Sequence, residues 1–416
     1  MIKSFKTCVM LLAAAYCLTF VSCDKDDDEF DDNNQEVVVK DVVVTVKEDG
    51  SVSGGHSFSA VDNQTFYIDY IKYSVVDSHL EVTGYDKTAF SGEAKIVSEL
   101  NYKGNTYQVL RIAKKAFDSY PNGDEADIPG YNGDKILTSV VIPNTVREIG
   151  EKAFDSCHAL KTVCIGNSLE TIDKFAFADC SLLASINLPN SVTTIGYGAF
   201  YECTSLTSIT LPNSLSVIEY DTFYKCPLTS VTIPNSVTEI NTGAFAKTSL
   251  TSVKIPKSVT YICLHGFDYS GAFDEGSLSS FEVDKDNPVY SSTDGVLFNK
   301  DATVLLRNMC KKTGSYVIPN TVTTIGEFAF CNCDFTSVVI PKSVTKIEKE
   351  AFYCENLDVT CLGNTPPEAY GEPMFTFQAF QYYWNYILHV PKGCKEAYEK
   401  VFPWSNFKSI IEDAKE

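Results

Sequence analysis

The chain has 416 residues, 44% of them apolar, with 34 basic against 54 acidic side chains and a formal net charge of −20. That balance excludes nucleic acid and anionic membrane surfaces as partners, because both require a basic face. The length exceeds what one globular core usually holds, so the chain either divides into domains or has a core that grows lengthwise.

Lys3 and Lys6 precede an apolar run from Cys8 to Val21 that ends at Ser22-Cys23. A basic start, a short apolar stretch and a small residue describe an export signal over 1–22, too short to span a bilayer comfortably. Phe20-Val21-Ser22-Cys23 resembles a bacterial lipobox, which implies that the Cys23 thiol takes up diacylglycerol and becomes the new N-terminus. The alternative is an ordinary signal whose Cys23 is incidental. Residues 23–36 contain DKDDDEFDD, a run of like charge that cannot bury itself and reads as an extended tether. It is similar to the acidic tag that sends lipoproteins of Bacteroides-like bacteria to the outer face of the outer membrane. A plain solubilising linker would carry the same charge.

Residues 37–95 are strand-like, with EVVVKDVVVTVKEDG and FYIDYIKYSVVDSHLEVTGY separated by the Gly-rich GSVSGGHSF. They are expected to form a β-rich N-terminal cap over the first coil of a repeat array.

The array itself is written most plainly in LTSITLPNSLSVIEYDTFYKCP followed by LTSVTIPNSVTEINTGAFAKTS, from Leu206 to Ser249. Copies begin at Leu137, Leu160, Leu183, Leu206, Leu228 and Leu250, and two more follow at Tyr316 and Phe335, with a period of 22 to 23 residues. A fixed period in the twenties predicts a repeat solenoid, in which only the stack of coils has a core. In Leu228 to Pro234 the apolar residues alternate as in a strand, and Pro234 ends it. Asn235 and Ser236 can bond their own backbone to set a turn. Val237, Ile240, Ala244 and Phe245 then give a second inward row, predicted as irregular or short-helical. Phe117, Phe154, Phe177, Phe200, Phe223, Phe245, Phe267, Phe330 and Phe352 are predicted to stack into one spine. A degenerate first copy occupies Tyr107 to Phe117, before a Gly-, Pro- and Asp-rich loop over 118–135.

The pattern LTSVxIPNSVTxIGxxAF resembles the BspA-like, or treponemal-type, leucine-rich repeat, over residues 96–363. Gly166 replaces the turn Pro in one copy, and Thr222 and Gly266 replace the Ala before Phe. The resemblance implies right-handed coils of strand and irregular backbone. It also implies an exported surface protein of anaerobic bacteria that works as an adhesion or binding scaffold and not as an enzyme.

Cys157, Cys180, Cys203, Cys226 and Cys333 each stand three residues after the repeat Phe, with Thr248 in the equivalent place of the sixth copy. Adjacent rungs lie ~4.8 Å apart, within disulfide reach, but stacked side chains point the same way. The column is therefore expected to hold reduced, packed thiols.

Residues 269–315 interrupt the repeat. Asn287-Pro288 marks a turn, and Val296 to Phe298 with Val304 to Leu306 predict an inserted β-hairpin that either forms a rung or projects a contact surface. Residues 364–416 are expected to close the stack as a small α+β C-terminal cap. Its final strand is placed at Leu388 to Pro391 and its helix at Lys395 to Val401, with Trp404, Phe407, Ile410 and Ile411 covering the last coil. Tyr382, Tyr383, Trp384 and Tyr386 exceed what a small cap needs. They either fold inward or leave one set of rings outside as a contact site.

No catalytic constellation emerges, and no cofactor or metal is expected. His56, His79, His158, His265 and His389 are scattered, and HExxH, GxSxG, Walker and dinucleotide signatures are missing. A carboxylate pair for glycoside hydrolysis could be assembled by the fold alone. Ser208 with Thr210, Ser230 with Thr232, and Ser252 with Lys254 occupy the outward strand positions. Thr210, Thr232 and Lys254 therefore mark either a shallow binding face or the ordinary preference of Thr for strands. Two classes of function follow. One is a lipid-anchored surface adhesin for a matrix protein or another cell; the other is a glycan-capture protein, or a hydrolase, serving polysaccharide uptake. In both the membrane is touched only through the lipid.

Overall fold

The computed structural model describes residues 39–118, 136–265, 271–308, 314–331, 333–352, 357–369 and 387–413. The chain divides into two compact units, residues 1–249 and 250–416.

The first unit opens with Val43–Thr45, paired in parallel with Glu99–Tyr102, and continues with four antiparallel strands, Phe58–Ala60, Thr65–Ile68, Ile71–Val76 and His79–Tyr85. Phe66, Ile68, Ile71, Tyr73, Leu80 and Val82 alternate inward along them and are buried. The strand His79–Tyr85 then pairs in parallel with Asn105–Ile112, whose last two residues pair with Glu148–Ile149. The cap thus continues into the repeat through backbone bonds, and the Val97 N–H donates to the buried Tyr73 hydroxyl at 3.2 Å.

Two ladders of parallel strands run through this unit. The first is built from the Leu-x-x-Ile/Val segments: Glu93–Lys95 pairs with Ser139–Ile142, that strand with Thr162–Ile165, and Ser185–Asn187 with Ser208–Thr210. Leu228 to Pro234, predicted as a strand, is not one. This copy is one residue shorter, with Pro227 alone between Cys226 and Leu228, yet the Thr229 amide still reaches the Thr207 carbonyl of the preceding coil at 3.3 Å. The second ladder corrects the expectation of an irregular or short-helical half. Arg111-Ile112, Glu148–Ile149, Thr171–Ile172 and Thr194–Ile195 form one parallel set, and Val217–Ile218 pairs with Glu239–Ile240. Each contributes one buried Ile and one outward polar or small residue, the strand period at its minimum length.

Between second ladder and Cys lies a third coil-to-coil contact, around the Phe. The residues two before and two after it adopt positive φ in copy after copy, as at Lys152 and Ser156, Phe175 and Asp179, and Asp221 and Lys225. Every second amide is thereby turned toward the next coil. Lys152, Phe154 and Ser156 donate to the carbonyls of Lys174, Ala176 and Ala178 at 2.8–2.9 Å, and Phe175, Phe177 and Asp179 do the same to Tyr197, Ala199 and Tyr201. The intervening amides close turns within their own coil, as Asp155 does on the Lys152 carbonyl and Cys157 on that of Phe154. No regular strand is formed, yet the buried backbone is satisfied.

The rings stack along this column as predicted. Phe117, Phe154, Phe177, Phe200, Phe223 and Phe245 lie nearly parallel at 5.0–5.6 Å, and Tyr85 stacks on Phe117. Phe330 and Phe352 repeat the contact in the second unit at 4.8 Å, while Phe267 lies outside the described residues. One coil shows the whole core: Leu137, Val140, Ile142, Val146, Ile149, Ala153, Phe154 and Cys157 are all at most 1% exposed. Fully burying such a Phe contributes about 1.5–3 kcal/mol.

No described cysteine forms a disulfide. Each thiol of the column instead donates to a carbonyl of the preceding coil: Cys157 to Phe117 at 3.2 Å, Cys180 to Phe154 at 3.2 Å, Cys203 to Phe177 at 3.1 Å and Cys226 to Phe200 at 3.0 Å. Burial pushes the Cys180 and Cys226 thiols well above their ordinary range, which keeps them protonated donors. Thr248 satisfies its hydroxyl on the Phe245 carbonyl of its own coil. The turn Asn also differs from expectation. Backbone closes the turn, as Val237 N–H does on the Pro234 carbonyl, and the amide oxygens of Asn144 and Asn190 accept from Asn167 and Asn213 one coil further on.

In the second unit Ser252–Ile255 pairs with Ser280–Val283. The interruption contains three antiparallel strands, Tyr290–Thr293, Val296–Asn299 and Val304–Arg307, one more than predicted. Asp294 and Gly295, both at positive φ, supply the tight turn between the first two. The last strand pairs in parallel with Thr324–Ile325 and so becomes a rung, followed by Lys346–Ile347 and Glu368–Ala369. The other ladder runs Ser315–Val317, Ser337–Ile340, Asp358–Cys361, Ile387–Val390 and Ser409–Glu412. The strand at Leu388 is therefore not the last. Tyr398, on the helix Lys395–Glu399, and Trp404 are fully buried, with Trp404 Nε1 donating to the Pro367 carbonyl at 3.0 Å. Ile410 is buried, whereas strand alternation turns Ile411 outward, against the prediction.

Asn287 fastens the interruption. Fully buried, it donates from Nδ2 to the Pro256 and Val259 carbonyls and accepts at Oδ1 from the Val289 and Tyr290 amides, all at 2.8–2.9 Å. Asn287→Ala strands these partners and is expected to cost more than about 3 kcal/mol in denaturant unfolding, whereas exposed Lys285→Ala changes stability by less than about 0.5 kcal/mol.

Candidate functional site

The outward positions of the first ladder were the first candidate surface. Ser208 and Thr210 are exposed on either side of buried Ile209, in register with Ser185 and Asn187. Thr232 is exposed but leaves the ladder with its segment. Lys254 belongs to the second unit, where it is exposed on Ser252–Ile255 in register with Glu282, its amine 4.0 Å from that carboxylate. In the first unit the outward positions of this ladder thus carry Ser185, Asn187, Ser208 and Thr210. Cys23, Tyr382, Tyr383, Trp384 and Tyr386 lie outside the described residues.

A second surface, which sequence reasoning missed, stands where the second ladder meets the Phe turns. Tyr197 and Tyr220 occupy matching places in successive copies, are 39% and 50% exposed, and cross at 86° with centroids 6.5 Å apart. Phe175 meets Tyr197 at 4.8 Å and Tyr201 at 6.3 Å, and Tyr201 stacks on Tyr224 at 5.0 Å. Beside the crossed pair is a hollow of about 550 Å³ lined by Asp173, Lys174, Thr194, Glu219 and Asp221 as well as the tyrosines. The legible signal was the spacing: 197 to 220 and 201 to 224 each equal one repeat, at positions that face away from the core.

Two glycines shape this surface. Gly198 has φ +59, and a Cβ there would stand 2.6 Å from the Phe175 ring; Gly243 has φ +66, and a Cβ would stand 1.8 Å from Asp221 Oδ1. The left-handed position before each Phe thus alternates Phe175, Gly198, Asp221, Gly243, so that a large side chain lies across the glycine of the next coil. Asn241 Nδ2 donates to Glu219 Oε2 at 3.3 Å, and the Lys174 amide to Asp173 Oδ1 at 2.7 Å.

An acidic column runs along the same turns. Burial, reinforced by the neighbouring Asp118 charge, pushes the Asp155 carboxyl up to about 6, with Lys152 opposing at 3.9 Å. Burial also raises Asp179, which the His158 ring meets at 3.2 Å. The histidines remain dispersed, and among the described residues no group of three or more His, Cys, Asp or Glu could hold a metal ion.

The chain matches a model of the BspA type leucine rich repeat region in six copies, over residues 127–247, 179–285 and 308–408, more than half its length. In structure it is similar to a leucine rich cell surface protein of Faecalibacterium prausnitzii A2-165, at 25% identity and a TM-score of 0.58, over 86% of this chain and 97% of that one. The pneumococcal vaccine antigen PcpA aligns at 20% identity and a TM-score of 0.47, over 86% of this chain and 99% of that one. A leucine-rich repeat protein of Bacteroides ovatus ATCC 8483 aligns at 21% identity and 0.40, over 83% and 100%. No curated protein matches the sequence.

The raised Asp155 carboxyl makes folding take up a proton between the ordinary Asp range and pH 6. Stability from this group is therefore greatest at low pH and falls as pH rises toward 6. Asp155→Asn is expected to melt above the parent at pH 7.5, with the gap closing near pH 4; a gap independent of pH would contradict the assignment.

Proposed function

Because this chain belongs to the BspA-type leucine-rich repeat family, we propose that it is a cell-surface, non-catalytic binding scaffold whose ligand is an extracellular protein, of a host matrix or another cell. The observation that carries this reading is the surface the repeat builds. Tyr197 and Tyr220, with Ser208 and Thr210, are held outward at coil spacing on a backbone bonded coil to coil. Exposed aromatic side chains on a rigid frame are suited to hot-spot contacts, because little entropy is lost when they are covered. The cell-surface description of the Faecalibacterium relative supports the location. Among the described residues no helix is long and apolar enough to cross a membrane. In this reading Cys23 carries the lipid, residues 23–36 hold the repeat away from the outer membrane, and the protein faces outward.

Arrays of immobilised matrix proteins and of glycans, probed with the purified protein, separate the two ligand classes. Saturable binding to at least one matrix protein is expected. Binding confined to glycans would replace this reading with capture for polysaccharide uptake. On whole cells, resistance of the protein to added protease would contradict surface exposure.

A further inference from the structure

The hollow beside Tyr197 and Tyr220 has a chemistry of its own. Asp173, Glu219 and Asp221 set three carboxylates against the single amine of Lys174. Each is placed by the fold: Asp173 by the following amide, Glu219 by Asn241, and Asp221 by the space that Gly243 leaves. Tyr197 and Tyr220, crossed nearly at right angles, both line the hollow. Ring faces carry the negative lobes of the aromatic quadrupole and add to the carboxylate field.

The aromatics next to the hollow already bind amines. Lys152 lies over Phe175 at 5.8 Å, and Lys225 and Lys247 lie over Tyr224 at 5.5 and 5.2 Å. The chain as a whole carries a net charge of −20, which draws cations and repels anions. A ligand that covers the hollow must offset the desolvation of three carboxylates. A guanidinium or ammonium does so with charge-assisted hydrogen bonds, and a guanidinium can also lie flat on a tyrosine. A neutral sugar could stack on the rings but brings no positive charge to the carboxylates. An anionic sugar would be repelled.

We propose that this hollow is the docking site for an Arg or Lys side chain in a basic segment of the protein ligand. The assignment rests on the scaffold reading above and deepens it. The cation lies in the hollow against the exposed rings of Tyr197 and Tyr220, and Glu219 and Asp221 accept its hydrogen bonds. Because charge provides much of the attraction, binding weakens as salt screens it.

The test uses the full chain with fluorescent Arg-rich and Lys-rich peptides, an acidic peptide of the same length and a neutral oligosaccharide. The basic peptides are expected to bind, more weakly at high salt, and Tyr220→Ala and Glu219→Gln each to reduce affinity about tenfold with thermal unfolding unchanged. The double variant Glu282→Gln, Asp284→Asn, on the second unit, removes as much charge or more and is expected to leave binding unaltered. Equal loss in that control and in Glu219→Gln, with no effect of Tyr220→Ala, would show diffuse charge attraction and overturn the site. Preference for the oligosaccharide, abolished by Tyr220→Ala, would also overturn it in favour of a sugar site. Matrix-protein binding on the same preparations separates the two levels. If the parent binds a matrix protein while the basic peptides ignore the hollow, the site fails and the scaffold reading stands. If the basic peptides depend on Tyr220 but no matrix protein is bound, the scaffold reading fails and the site stands.

Discussion

The contact between one coil and the next at the Phe turn is the constraint on which the rest of the structure depends. There a ring stacks on a ring, a thiol reaches the previous coil's carbonyl, and alternate amides reach the next coil. Each stacked pair contributes about 0.5–1.5 kcal/mol beyond its burial. The larger effect is on the backbone, since an unsatisfied buried amide costs about 1–3 kcal/mol. A lone coil could bury neither its rings nor its amides, so stability accrues between neighbours. The same logic explains the plain thiols. A small donor that is content without water fits where a carbonyl of the preceding coil, already holding one backbone amide, can accept a second bond, and a disulfide would remove that donor.

This contact also decides what the surface can display. Turning every second amide toward the neighbour requires positive φ at residues such as Lys152, Phe175 and Asp221, a conformation unfavourable for L side chains by roughly 1–2 kcal/mol each. Glycine at the same position in the next copy leaves room for these side chains to lie across it. The rigid placement of Phe175 and Asp221 beside Tyr197 and Tyr220 is thus a by-product of how the coils bond. Thr222 shows the tolerance of the arrangement: it replaces the Ala before Phe, yet stays buried because its hydroxyl donates to the Glu219 carbonyl at 2.8 Å.

What could be read from sequence followed side-chain identity. Leu, Ile and Phe recur because each fills the same volume in every coil, so the stack, the spine and the packed cysteines were legible. The third contact was not, because its repeated feature is backbone conformation, and Lys152, Phe175, Gly198 and Asp221 share no side-chain property. The second ladder was hidden by its length, since two residues such as Glu148 and Ile149 are too few to show alternation. The shorter spacing between Cys226 and Leu228 singles out the copy whose first-ladder segment is not a strand. Asp294-Gly295 announced the extra strand of the interruption. The crossed tyrosines share no local context, since Tyr197 stands between two glycines and Tyr220 between Glu219 and Asp221. Only their spacing of one repeat links them.

Residue-resolved amide hydrogen exchange on the folded protein tests the coil-to-coil bonding most directly. The amides of Phe154, Phe177, Phe200 and Phe223, and those two residues to either side of each, are expected to exchange slowly, on the scale of the paired amides of Thr162–Ile165. Exchange at these positions as fast as at an exposed turn such as Asp62 to Gln64 would contradict the account, because the Phe turns would then be held to one another by side chains alone.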